Sequence, residues 1–145
     1  MTPANAANAD AKHPGKPDGR PSLLIADDDA VVRAVLSSQL AGHFHVVAVA
    51  ENAAEAIELA EEHRPAAALI DVEMPGGGAL EAVPEIATRS PGTCMVILSA
   101  DESPRVVLDL LSAGAMAYVR KGVTSTQIAE TLADALRAKE DPPQG

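Results

Sequence analysis

The chain has no tryptophan, and Phe44 and Tyr118 are the only phenylalanine and tyrosine among its 145 residues. Its interior must therefore be assembled from Ala, Val, Leu and Ile, and an exposed Tyr118 would stand out. Cysteine is nearly absent as well. The single Cys94 rules out an internal disulfide, and its place in an apolar run marks it as a small core residue rather than a nucleophile. Basic residues are scarce, 11 Lys and Arg against 21 Asp and Glu, for a net charge of −10. Affinity for a phosphate backbone comes from Lys and Arg displacing counterions, so direct nucleic acid binding is not expected. No apolar stretch approaches the roughly 20 residues that cross a bilayer. The opening stretch, MTPANAANADAKHPGKPDGRP, also lacks the apolar centre of a signal peptide. Together these absences point to a soluble protein of the reducing cytoplasm, with no membrane partner. There is no visible internal repeat, and the length suits one domain with a real core.

What is present is a set of short apolar runs, each leading to a residue able to do chemistry. Leu23-Leu24-Ile25-Ala26 precedes Asp27 and Asp28, and Ala66-Ala67-Ala68-Leu69-Ile70 precedes Asp71. Met95-Val96-Ile97-Leu98 ends on Ser99, and Ala117-Tyr118-Val119 leads to Lys121. Such runs, separated by segments of helical period, read as buried parallel strands of an alternating β/α chain. In these sheets ligands collect beyond the carboxyl ends of the strands, where the topology switches direction. Residues far apart in sequence are thereby expected to meet at one edge.

The intervening segments complete the alternation. Val31, Val32, Val35, Leu36 and Leu40 follow Asp29, a plausible N-cap, and predict a first helix. Residues 45–50 read as a second strand. Residues 53–63 read as a second helix that buries Ala53, Ala56, Ile57 and Ala60 and stops at Pro65. Gly76, Gly77 and Gly78 are expected to form a flexible loop before a third helix with Leu80, Val83, Ile86 and Ala87 inward. Pro84 predicts a late start or a kink there. Pro104 opens a fourth helix through Val107, Leu110 and Leu111, ended by Gly114. Thr124 and Gln127 form a capping box for a fifth helix with Ile128, Leu132 and Leu136 inside. The expected fold is α/β, a doubly wound five-stranded parallel sheet with right-handed crossovers over residues 22–139. Residues 1–21 are expected to be a disordered tail and residues 140–145 a flexible one.

If the strands bearing Asp27, Asp28 and Asp71 are neighbours, three carboxylates crowd together, and like charges repel unless protonated or sharing a cation. A hard divalent ion resolves this, and Mg²⁺ fits best because it takes a few carboxylates, keeps waters and reaches phosphate oxygens. A carboxylate can accept a phosphoryl group, while Lys121 supplies a mobile positive charge and Ser99 a hydroxyl donor. Other polar residues read more blandly. Asp29 is a helix cap, and His43 and His45 are surface histidines near a strand start. The glycine run lacks the Lys-Ser or Lys-Thr of a phosphate-binding loop.

In order, LLIADDDA, LIDVEMPG, VILSA and GAMAYVRKG make the chain resemble the response-regulator receiver domains of two-component signalling. The resemblance covers residues 22–139. It implies a chemotaxis-regulator-like, flavodoxin-like receiver fold with sheet order 2-1-3-4-5. It also implies Asp71 as phosphoacceptor, with Mg²⁺ held by Asp27, Asp28, Asp71 and the Glu73 backbone carbonyl. Ser99 would be the switch hydroxyl, Lys121 the phosphate-binding lysine and Tyr118 the switch aromatic. The implied partners are a sensor histidine kinase or phosphotransfer protein and a downstream protein. A homodimer through the fourth helix, fifth strand and fifth helix is a further possibility. The chain would be a switch rather than an enzyme, its only chemistry phosphotransfer to its own Asp71 and autodephosphorylation. Gly122 stands where many members of the family have proline, and Glu73 and Asp101 are expected to tune dephosphorylation. Two alternatives remain: a phosphate-independent docking module, and an aspartate-nucleophile phosphohydrolase. The second usually has Asp two residues after its nucleophile, where this chain has Glu73.

Overall fold

Strands β1 (Ser22–Ala26), β2 (His45–Ala50), β3 (Ala67–Asp71), β4 (Cys94–Ser99) and β5 (Ala117–Arg120) alternate with five helices. These are α1 (Ala30–Leu40), α2 (Ala53–His63), α3 (Gly78–Arg89), α4 (Pro104–Ala113) and α5 (Ser125–Glu140). The computed structural model describes residues 19–100 and 103–140. Most of the expected tails, and Asp101, lie outside the described residues. Arg20 and Pro21 do not. The Arg20 guanidinium donates to the Ala41 carbonyl, and His45 N donates to the Pro21 carbonyl at 2.8 Å.

Every strand pair is parallel, in the order β2-β1-β3-β4-β5. Side chains alternate across a strand, so one sequence serves two cores. Leu24, Ala26, Ala68, Ile70 and Ile97 pack beneath α2, α3 and α4. Leu23, Ile25, Leu69, Val96 and Leu98 pack against Leu36 and Leu40 of α1 and Leu132 of α5. Burial on both faces is why β1, β3 and β4 are continuous apolar runs rather than alternating ones. Each fully buried Leu or Ile contributes about 1.5–3 kcal/mol. From β1 the chain winds to β2 on one side and β3 on the other, which opens a crevice at the carboxyl ends of β1 and β3.

The edge strand β2 carries an irregularity. Leu23 pairs with Val46 but Leu24 with Ala48, so Val47 is an extra residue on β2. As a result Val46 packs into the α1/α5 core and Ala48 into the opposite one.

Helix ends follow their local chemistry. Asp29 Oδ1 accepts from Val31 N at 2.8 Å and Val32 N at 3.2 Å, capping α1. Thr124 and Gln127 form the reciprocal capping box, Gln127 N to Thr124 Oγ1 at 3.1 Å and Thr124 N to Gln127 Oε1 at 3.2 Å. Arg64, at φ +45°, turns the chain out of α2 before Pro65.

Several faces differ from the periodic reading. Val31 and Val35 are 70% and 45% exposed, and α1 docks instead through Leu36 and Leu40. Leu80 also faces solvent, its expected place in the core taken by Ala79 and Ala82. The start of α3 is not delayed, since it begins at Gly78 and runs through Pro84. Both Leu80 and Pro84 are exposed, so the hydrogen bond that the proline cannot donate is lost on the solvent-facing side of α3. The glycine run leads directly into α3, with φ of +83°, +96° and +61° at Gly76, Gly77 and Gly78. At Gly78 a Cβ would lie 2.3 Å from the Val72 carbonyl oxygen.

Gly78→Ala is therefore expected to destabilise the fold by at least the roughly 1–3 kcal/mol of a strained backbone position. Thermal or urea unfolding checks this, and a variant as stable as the wild type would contradict the packing around the Val72 carbonyl.

Candidate functional site

Asp27 follows β1 directly and Asp71 is the last residue of β3, so the neighbouring strands bring the two side by side. Carboxylate oxygens of Asp27, Asp28 and Asp71 all lie within 4.8 Å of one another. No other group of three or more His, Cys, Asp or Glu among the described residues could hold a metal. His43 and His45 form no such group, and Asp29 is outside it because its carboxylate caps α1.

Ser99 is buried at the end of β4, and its backbone carbonyl accepts from Lys121 N at 2.7 Å. This bond pins the turn after β5 beside β4 and aims the ammonium across β4 toward β3. Lys121 Nζ lies 3.1 Å from Asp71 Oδ1 and 3.8 Å from Asp27 Oδ2. Gly122, at φ +98°, makes the next bend with open space around its Cα.

Asp71 is 2% exposed. Burial raises its pKa above the ordinary carboxylate value, and the Asp27 charge adds to this. The Lys121 hydrogen bond and charge, with the Glu73 backbone N–H, offset only part of the rise. For Lys121 burial acts downward, but the hydrogen bond and charge of Asp71, joined by Asp27 and Asp28, outweigh it and hold the ammonium above its usual value. Asp27 Oδ2 is buried with no hydrogen-bond partner. An all-oxygen donor set with one such unsatisfied, buried oxygen suits a hard divalent cation.

Two cavities flank this centre. One, of about 410 Å³, is lined by Asp28, Val72, Glu73, Met74, Pro75, Gly77 and Gly78, and so brings Glu73 beside the acidic group. The other, of about 350 Å³, lies between α4 and β5, and Ser99, Val107, Leu111, Tyr118 and Arg120 are among its lining residues. Tyr118 is half-exposed at its mouth.

The structure thus brings Asp27, Asp28, Asp71 and Lys121 together, with Ser99 and Glu73 at the rim and Tyr118 across the second cavity. Arg33, which no motif in the sequence marks, also reaches this site. Its guanidinium Nη1 donates to the Asp27 carbonyl at 2.8 Å. The one available signal was that Arg33 is the only charged residue in α1.

The family described as "Response regulator receiver domain" matches residues 23–133. NarL of Mycobacterium tuberculosis, a transcriptional regulatory protein, is 28% identical over 120 residues, 81% of this chain but only 56% of NarL. The chain therefore spans about half the length of that regulator. The chemotaxis protein CheY of Listeria monocytogenes is 30% identical over 116 residues, 79% of this chain and 98% of CheY. The solved signal receiver domain of Mycobacterium tuberculosis NarL superposes with a TM-score of 0.77 at 28% identity, covering 81% of this chain and 97% of that domain.

A carboxyl whose folded pKa is raised binds its proton more tightly in the folded than the unfolded state, so it disfavours folding once ionised. Asp71→Asn should raise the metal-free melting temperature at neutral pH. The gain should shrink as pH falls through the folded pKa of Asp71, because the wild-type carboxyl then takes up a proton of its own. Saturating Mg²⁺, at about 100 times its dissociation constant, should stabilise the wild type by roughly 2.7 kcal/mol and the variant by less. Melting curves with and without Mg²⁺ read all three, and a destabilised metal-free Asp71→Asn would contradict the electrostatic account.

Proposed function

The chain belongs to the response regulator receiver domain family, and from that premise we propose that Asp71 accepts a phosphoryl group from a sensor histidine kinase or a phosphotransfer protein. The observation that carries this reading is the buried Asp71 carboxylate, 3.1 Å from the Lys121 ammonium and grouped with two further carboxylates. The Asp71 oxygen forms its bond to phosphorus as the bond from phosphorus to the donor's imidazole nitrogen breaks, and the electron pair leaves with the imidazole. The product is an aspartyl phosphate, a mixed anhydride open to later hydrolysis. Attack requires the ionised carboxylate. Burial works against that form in the metal-free chain, whereas the Lys121 hydrogen bond and charge, and a bound cation, favour it.

Lys121 neutralises charge at the phosphoryl oxygens and Ser99 donates a hydrogen bond to one of them. Asp27, Asp28, Asp71 and the Glu73 carbonyl would hold Mg²⁺, which when bound supplies the neutralising charge that lets an anionic phosphoryl group approach an acidic centre. The chain turns over no free metabolite, and its place is the cytoplasm, where the kinase would present its phosphohistidine.

A phosphoryl group brings about −1.5 to −2 charge and three strong acceptors. Contacts from Ser99 and Lys121, at about 1.5–3 kcal/mol each, together supply roughly 3–6 kcal/mol. Moving a two-state equilibrium from 1:99 to 99:1 takes about 5.5 kcal/mol, so two contacts near the upper end of that range throw a switch. Ser99 moves toward the phosphate, Tyr118 swings into the cavity it borders, and the surface formed by α4, β5 and α5 changes for a downstream protein or a second copy of the chain. Leu108 and Met116 are already exposed on α4 and beside β5, ready for such a contact.

Incubation with acetyl phosphate and Mg²⁺ should add one phosphoryl mass to the wild type and none to Asp71→Asn. Chelating the metal should abolish the gain. An unlabelled wild type defeats this reading. Since Tyr118 is the only tyrosine and tryptophan is absent, intrinsic fluorescence reports that residue alone and should change with labelling. Ser99→Ala should still take phosphate but lose about 10- to 150-fold in the switching equilibrium, the equivalent of one contact. A full fluorescence response in Ser99→Ala would separate Tyr118 from the phosphate.

A further inference from the structure

Asp27 is restrained at almost every polar atom. Its N–H donates to the Ala50 carbonyl at 3.0 Å, and its Oδ1 accepts from Asp29 N at 2.9 Å. Its carbonyl accepts from Arg33 Nη1 at 2.8 Å. Only Oδ2 is left, buried, with no hydrogen-bond partner and 3.8 Å from Lys121 Nζ. Of these restraints, Arg33 alone is a side chain acting from outside the loop. Arg33 is itself held, its side chain only 18% exposed and Nη2 3.8 Å from Glu51 Oε1 just beyond β2. The planar guanidinium thus ties the turn after β1 to the turn after β2, a two-sided reach that a lysine ammonium cannot reproduce.

We propose that Arg33 is a positioning residue for the cation site, which it serves by fixing the Asp27 carbonyl so that Oδ2 stays aimed at the space shared with Asp28 and Asp71. The inference rests on the reading that this space takes Mg²⁺. Groups that orient metal ligands from behind commonly change affinity by about 10- to 100-fold when removed. Position and charge predict opposite results here. Removing a nearby cation makes the acidic group more negative and by charge alone would tighten cation binding, whereas loss of positioning weakens it.

The test is a calorimetric titration of the metal-free full chain with MgCl₂, with no phosphate donor present. If Arg33 positions Asp27, Arg33→Gln binds Mg²⁺ roughly 10-fold more weakly than the wild type. Arg33→Lys, which keeps the charge on a single donor nitrogen, falls between them and carries the test alone should Arg33→Gln fail to fold. Equal or tighter binding by Arg33→Gln, or wild-type affinity in Arg33→Lys when Arg33→Gln does not fold, overturns the inference while leaving the site reading intact. A wild type that binds no Mg²⁺ overturns both. A wild type that binds Mg²⁺ but gains no phosphoryl mass from acetyl phosphate defeats the phosphoacceptor reading and leaves the comparison at position 33 valid.

Discussion

A buried carboxylate that must coexist with two others at the same sheet edge is the constraint on which this molecule turns. Left alone, such a group would take up a proton or unfold its surroundings. Here Lys121 counters part of the cost from the far side of β4, with its backbone fastened to Ser99 and its ammonium shared between Asp71 and Asp27. The pairing needs β3, β4 and β5 in that order and register. Asp71 aligns with Leu98, and Ser99 aligns with Arg120, the residue before the lysine. A slip of one residue in either ladder would separate the charges.

The near-absence of aromatic side chains shapes the rest of the packing. With Phe44 the only buried aromatic residue, helices dock on the sheet through small groups, most plainly along α2, where Ala53, Ala56 and Ala60 join Ile57 as its buried face. Small side chains let backbones approach closely, which is also why Gly78 abuts the Val72 carbonyl at the start of α3. Cys94 belongs to the same economy. Buried at the start of β4, its thiol is pushed up to about 11 by desolvation, far from the reactive range.

Most of the architecture was readable because two periods dominate it. Strands buried on both faces announce themselves as unbroken apolar runs, and the polar residue ending each run marks the edge where ligands gather. The strand-end rule brought Asp27, Asp28, Asp71 and Lys121 to one place, while apolar composition and helical spacing located β2, α2 and their boundaries. It failed where a period is ambiguous. On α1 the valines at 31 and 35 and the leucines at 36 and 40 lie on adjacent stripes, and only the docked structure tells which stripe meets the sheet. Leu80 differs for the same reason, since the nearby Ala79 and Ala82 fill the close contact instead. Arg33 escaped notice because its partner is a backbone carbonyl, which leaves no trace in the pattern of side chains. The Val47 irregularity is equally silent, because an extra valine in a valine-rich strand preserves composition and hydrophobicity alike.

That extra residue has a consequence for how the fold tolerates change. β2 is bordered on one side only, so slack introduced there is absorbed without disturbing any other ladder. After the offset, Ala26 aligns with Ala50, whose carbonyl receives the amide of Asp27. The outermost strand thus works as an adjustable spacer. Its length sets where the first acidic residue is gripped, while the inner strands, hemmed in on both sides, stay fixed as the frame against which that adjustment is made.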